Sequence, residues 1–94
     1  MIPQILENSI ALVTGGSRGI GRAIALALAS AGADVIVSYR SASAEAHSVA
    51  EEIRAGGRRA ELMQVDVSQF DPVREMVEAI VATFHRLDIL VNNA

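Results

Sequence analysis

One stretch, Thr14-Gly15-Gly16-Ser17-Arg18-Gly19-Ile20-Gly21, limits the folds open to this chain more than anything else in it. It follows the apolar run Ile10-Ala11-Leu12-Val13 and leads directly into Arg22-Ala23-Ile24-Ala25-Leu26-Ala27-Leu28. A β-prone run, a glycine-dense turn and an apolar-periodic helix in succession predict a strand–loop–helix unit. Such a unit uses glycine in three ways. At Gly15 the chain turns sharply off the strand, where positive φ is expected. At Gly19 the missing side chain admits a ligand's phosphates close to the backbone, and at Gly21 it lets the helix pack against the strand. The helix that begins here aims unpaired N–H groups and its positive dipole end at the same place. A ligand-free glycine turn would look the same over these few residues, so the rest of the chain has to decide.

Composition narrows the class. The 94 residues are enough for one small domain, and 51% hydrophobic content with 20% charge predicts a packed chain rather than a disordered one. With only Tyr39, Phe70 and Phe84 as aromatics, the core must be aliphatic. A net charge of −3 offers no basic field to draw nucleic acid or an anionic membrane, so neither is an expected partner. No cysteine is present, which excludes disulfides and thiolate metal sites. His47 and His85 lack partners at metal-ligand spacing and read as structural. The first seven residues lack the charged-then-apolar pattern of a signal peptide, and no apolar run reaches the roughly 18 residues of a membrane span. A cytoplasmic location is expected. All eight basic residues are arginine; there is no lysine.

Taken in order, residues 1–8 read as a lead-in arm and strand one covers about 9–14. Helix one covers about 19–31, with Ile20, Ile24 and Leu28 on one face and Gly32 at the C-cap. Strand two, 34–39, is a mostly continuous β-branched run suited to a sheet buried on both faces. Ser41-Ala42-Ser43 offers an N-cap for helix two, about 44–55, with the inward stripe Ala46, Val49, Ala50 and Ile53 and a stop at Gly56-Gly57. Arg58-Arg59 looks like a solvated turn before strand three, 60–66. Helix three starts near Asp71 with Pro72 in its first turn and the stripe Val73, Met76, Val77, Ile80 and Phe84. Strand four follows at 88–92. Strict β-α alternation with crossover-length connections requires parallel pairing and right-handed crossovers. The expected fold is α/β: one half of a three-layer doubly wound parallel sheet, strand order 3-2-1-4, forming a partial dinucleotide-binding domain over residues 1–94.

The glycine spacing, with Thr14 ahead and Ile20 between the last two glycines, reads T-G-x-x-x-G-I-G. Together with Asp66-Val67 and Leu87-Asp88-Ile89-Leu90-Val91-Asn92-Asn93-Ala94, it resembles the short-chain dehydrogenase/reductase family in its NADP(H)-preferring branch. Within that branch the chain is most similar to 3-oxoacyl-acyl-carrier-protein reductases and other bacterial carbonyl reductases. The resemblance runs from about Leu6 to the last residue, and implies an NADP(H)-binding Rossmann fold with cofactor contacts from the loop residues Gly15, Ser17, Arg18, Gly19, Ile20 and Gly21.

In a doubly wound sheet the end of strand two reaches the adenosine ribose, roughly 20 residues past the glycine loop, where an acid selects NAD. Here that position is Tyr39, followed by Arg40 and Ser41. Without the acid nothing repels a 2′-phosphate, and an arginine can pair with it bidentately. Arg18 stands where it can approach the same phosphate, so NADP(H) is expected over NAD(H). The resemblance further implies that Asp66 bonds the adenine amino group and Val67 lines its pocket; Asp66 also has the chemistry of a cap for the segment entering helix three. Asn92 and Ala94 belong to an N-N-A-G motif whose glycine would come next; Asn-Asn is also an ordinary turn signal.

The family's catalytic serine and Tyr-x-x-x-Lys pair follow that motif. Tyr39 has Ser43 four residues on, and no lysine exists, so no catalytic role is assigned to any residue here. The expectation is a chain that does not reduce carbonyls alone, with an apolar strand-four edge inviting a second copy or a complementary C-terminal fragment. A non-catalytic nucleotide-binding or oligomer-interaction module, or a truncated product, stands beside it.

Overall fold

Seven elements alternate along the chain: β1 (Ile10–Thr14), α1 (Gly19–Ser30), β2 (Asp34–Tyr39), α2 (Ser43–Ala55), β3 (Ala60–Gln64), α3 (Phe70–Phe84) and β4 (Ile89–Asn92). The structure, a computed structural model, describes residues 4–93. The start of the expected lead-in arm and Ala94 therefore lie outside the described residues. The four strands are parallel in the order β3-β2-β1-β4, as expected.

Side-chain alternation divides the sheet into two faces. Ala11, Val13, Val35 and Val37 pack under α1 and α2 with Ala25, Ala29, Val49, Ala50 and Ile53. Ile10, Leu12 and Ile36 face α3 and meet Met76 and Ile80. Because β1 and β2 are covered on both sides, their sequences run apolar without alternation. The inward stripe of α2 is the expected one, Ala46, Val49, Ala50 and Ile53.

Other expectations need correction. The buried line of α1 is Gly21, Ala25 and Ala29, while Ile20 is 74% exposed and Ile24 and Leu28 pack at the margin. Small residues at i, i+4 and i+8 let the helix lie close to the sheet, and the bulkier aliphatics are pushed to its shoulders. In α3, Met76 and Ile80 are buried but Val77 is 37% exposed. The N-cap of α2 is Ala42, without a side-chain cap bond, and the Ser43 amide turns back to the Ser41 carbonyl at 2.9 Å. Nor are the two arginines before β3 idle. Arg59 stacks over the Phe84 ring at 4.3 Å and Arg58 donates to the Gly32 carbonyl.

Gly32 and Gly57 take positive φ (109° and 89°) at the ends of α1 and α2. At each, two amides turn back onto the last carbonyls: Ala33 to Leu28 and Gly32 to Ala29, then Arg58 to Ile53 and Gly57 to Arg54. These caps return the chain to the sheet, so every β-to-α loop opens at one end of it.

Candidate functional site

The glycine loop sits at that end. Gly15 leaves β1 at φ 65°, and the Gly15 and Gly16 amides both point at the Ser38 carbonyl, at 3.0 and 3.4 Å. Gly19 opens α1 at φ 63°, and a methyl group there would meet nothing within 4 Å. At Gly21 a methyl group would fall 2.2 Å from the Gly15 carbonyl oxygen and 2.5 Å from Asn93 Nδ2. Gly21 is therefore the packing glycine, and Gly19 the one that faces open space. Arg18 is the N-cap of α1 in an extended conformation; its side chain makes no capping bond, and the first turn holds no acid. The first helical amides have no partner within the helix, so its positive end stays uncompensated by α1 itself. Ser17 is buried and Ile20 stands out from the first turn.

Two clefts meet at the loop. The larger, about 530 Å³, is bounded by Gly15, Ser38, Tyr39, Arg40, Val65, Asp66, Val67, Ser68 and Asn92. The smaller, about 210 Å³, is bounded by Gly15, Ser17, Arg18, Tyr39, Arg40, Ser41 and Ala42. Gly15, Tyr39 and Arg40 line both. The fold thus brings together residues from the glycine loop and the ends of β2, β3 and β4, as the sequence led one to expect. Gly19, Ile20 and Gly21 do not line either cleft, and Ala94 lies outside the described residues.

Charge in the site is arranged rather than neutral. Arg18 and Arg40 bound the smaller cleft together, which suits an anion there. Arg40 Nη2 also stands 3.9 Å from Asp66 Oδ2, a long and exposed pair. Asp66 Oδ1 accepts bonds from the Ser68 hydroxyl (2.6 Å) and amide (3.0 Å). Those bonds, hydroxyl first, hold the Asp66 carboxyl below its ordinary value, with Arg40 adding a smaller push. Asp66 therefore closes a local turn; the N-cap of α3 is Gln69. Asp66 thus caps the segment entering α3, as expected, and its second oxygen faces Arg40.

A clamp ties β4 to the loop. The Thr14 hydroxyl accepts from the Asn93 amide at 2.9 Å and stands 3.3 Å from the Val91 carbonyl. Asn93 Nδ2 donates to the Gly15 carbonyl at 3.3 Å. The motif gives Asn93 no role of its own in the sequence, yet its side chain touches the loop. Ser38 was also missed. Its hydroxyl is buried and, among the described residues, has no hydrogen-bond partner. The available signal was a lone polar residue inside the apolar β2 run. Ser68 was legible as the second residue after an aspartate, the spacing of an Asx turn.

Among the described residues no cluster of His, Cys, Asp or Glu could hold a metal ion. None of the described helices is long and apolar enough to cross a membrane.

With this geometry in hand, comparison with known proteins is specific. A family model described as short chain dehydrogenase matches residues 9–94. The chain is 54% identical over 89 residues to an uncharacterized oxidoreductase of Methylorubrum extorquens, covering 95% of this chain and 36% of that one. It is 48% identical over 87 residues to the 3-oxoacyl-[acyl-carrier-protein] reductase FabG of Staphylococcus epidermidis, covering 93% and 36%. Among solved structures, a short chain dehydrogenase from Burkholderia cenocepacia in complex with NADP superimposes with a TM-score of 0.92 at 49% identity, covering 96% of this chain and 37% of that one. The chain thus spans little more than a third of the length of the relatives it matches.

Proposed function

The chain belongs to the short-chain dehydrogenase family, and from that premise we propose that it forms the adenosine-side binding site for NADP(H). In the intact enzyme the reaction would be reduction of a ketone, of the 3-oxoacyl or a similar carbonyl class. The observation that carries this reading is the meeting of Arg18 and Arg40 on one cleft next to the glycine loop. Two guanidinium groups beside an uncompensated helix N-terminus suit a 2′-phosphate and a pyrophosphate, respectively.

The residues present fit the cofactor. Gly19 offers backbone with no side chain in the way, and the Ser38 hydroxyl lacks a partner at the wall of the larger cleft. Asp66 and Val67 would hold the adenine, Arg18, Tyr39, Arg40 and Ser41 the ribose and its 2′-phosphate, and Ser17, Gly19 and Ile20 the pyrophosphate side, with Gly15 turning the loop and Gly21 seating the helix that presents it. Asn92, at the end of β4, would stand beside the cofactor. When bound, the cofactor supplies a hydride. The groups that polarise and protonate the substrate carbonyl would come from outside these 94 residues. A second copy of the chain, or a complementary C-terminal part, would supply the rest of the assembly.

Fluorescence titration with NADPH and then NADH tests the binding reading. Saturable binding that favours NADPH is expected, and Arg40→Asp should lower the NADPH-to-NADH affinity ratio by roughly tenfold or more, the scale of charge-assisted bonds. An unchanged ratio in that variant would remove the assignment. A second reading, a nucleotide-binding interaction module without its own catalysis, is favoured by the exposure of Leu90 (62%) on β4. Co-purification separates the two: a second polypeptide carrying Tyr-x-x-x-Lys supports the enzyme.

A further inference from the structure

The ladder between β2 and β3 ends with the Val65 amide donating to the Tyr39 carbonyl at 2.9 Å. One residue further, the β2 chain leaves the sheet, and among the described residues its next carbonyl, that of Arg40, has no backbone donor. Gln64 supplies one. Its Nε2 donates to the Arg40 carbonyl at 3.0 Å from a position in register with Tyr39. A carbonyl only accepts, so the amide nitrogen must be the atom that faces it.

The Arg40 side chain is 78% exposed, and among the described residues its head group is steadied only by the 3.9 Å approach to Asp66. A long, exposed side chain has many rotamers, so its usefulness for recognition depends on where its backbone is held. Gln64 is itself exposed and takes no part in either apolar core. Its hydrogen bond to the Arg40 carbonyl therefore does little for the fold and a good deal for where Arg40 stands at the lip of both clefts.

We propose that Gln64 is a positioning residue for phosphate discrimination: it anchors the Arg40 backbone so that the guanidinium meets a 2′-phosphate on the adenosine ribose. This inference rests on the reading of the smaller cleft given above. It places part of the cofactor preference on β3, a strand whose side chain never touches the phosphate.

The test compares 2′,5′-ADP with 5′-AMP as ligands of the full 94-residue chain, unaltered and as Gln64→Ala and Gln64→Met. Methionine keeps the length of glutamine and lacks its donor. In both variants 2′,5′-ADP should bind about three- to tenfold more weakly, the size of one lost hydrogen bond, while 5′-AMP binds as before and thermal unfolding is unchanged. A preserved 2′,5′-ADP to 5′-AMP affinity ratio in both variants overturns the proposal. So does an equal weakening of both ligands, which would mark a general structural role. If the unaltered chain shows no preference for 2′,5′-ADP, the cleft assignment itself falls and the role of Gln64 falls with it.

Discussion

Gly19 and Gly21 are two residues apart, yet a methyl group on each would meet opposite surroundings, open space in one case and the Gly15 carbonyl in the other. Gly19→Ala should cost only the strain of a left-handed alanine, about 1 kcal/mol, while its methyl group stands where phosphates would approach. NADPH affinity should fall at least tenfold, far more than that stability loss implies. Gly21→Ala should do the reverse, destabilising the unliganded chain by roughly 1–3 kcal/mol or more, because a backbone oxygen and the Asn93 clamp must both give way. Urea unfolding and NADPH titration of each variant distinguish the two roles; similar profiles for both would contradict them. The sequence identified these glycines because only glycine satisfies such demands. It also separated their roles, open approach at Gly19 and packing at Gly21; only the distances wait on how α1 lies against β1.

At the scale of elements, β4 is joined to β1 at both ends. Asn93 and Thr14 close the end at the glycine loop, and Asp88 closes the other by accepting the Ile10 amide at 2.8 Å. Arg86 grips the same carboxylate through three contacts of 2.7–3.1 Å. These bonds hold the Asp88 carboxyl below its ordinary value of 3.8, the Arg86 guanidinium contributing most and the Ile10 amide next. A depressed folded-state value means that the stabilisation is present above the unfolded value and is lost as pH falls through the folded one. The melting temperature should therefore drop on acidification below about pH 4, and the gap between the unaltered chain and Asp88→Asn should narrow over the same range. Thermal unfolding by circular dichroism between pH 7 and pH 3 measures both; a gap that stays constant would show that Asp88 is not the linked group. Element identity and order were legible because the periods of 2 and 3.6 are written in the apolar pattern. The inward face of α1 was not. The expected line Ile20, Ile24 and Leu28 follows size, whereas the helix presents its smallest residues so as to approach the sheet.

At the scale of the whole molecule, the Cα radius of gyration, 12.2 Å, is what a self-contained domain of this length has, about 12 Å. The two faces are nevertheless unequally covered. α1 and α2 shelter one side, while on the other α3 leaves Val67, Val77, Val81 and Leu90 exposed beside β4. A shallow apolar hollow of about 180 Å³ lies there, between Leu12, Val73, Met76, Val77 and Leu90. Exposed apolar surface next to an unpaired strand edge favours association. Sedimentation of the 94-residue chain should show concentration-dependent self-association, and Leu90→Asp should reduce it; a monodisperse monomer at high concentration would count against this. The sequence by itself determined the alternation of elements, the parallel strand order and the place of the glycine loop between β1 and α1, because these follow from periodicity, crossover length and the special backbone needs of glycine. Only the tertiary structure decided which groups meet: the Thr14–Asn93 clamp and the hold of Gln64 on Arg40. Each joins strands far apart in the chain through a register of single residues, and no local pattern records which residues will stand opposite one another.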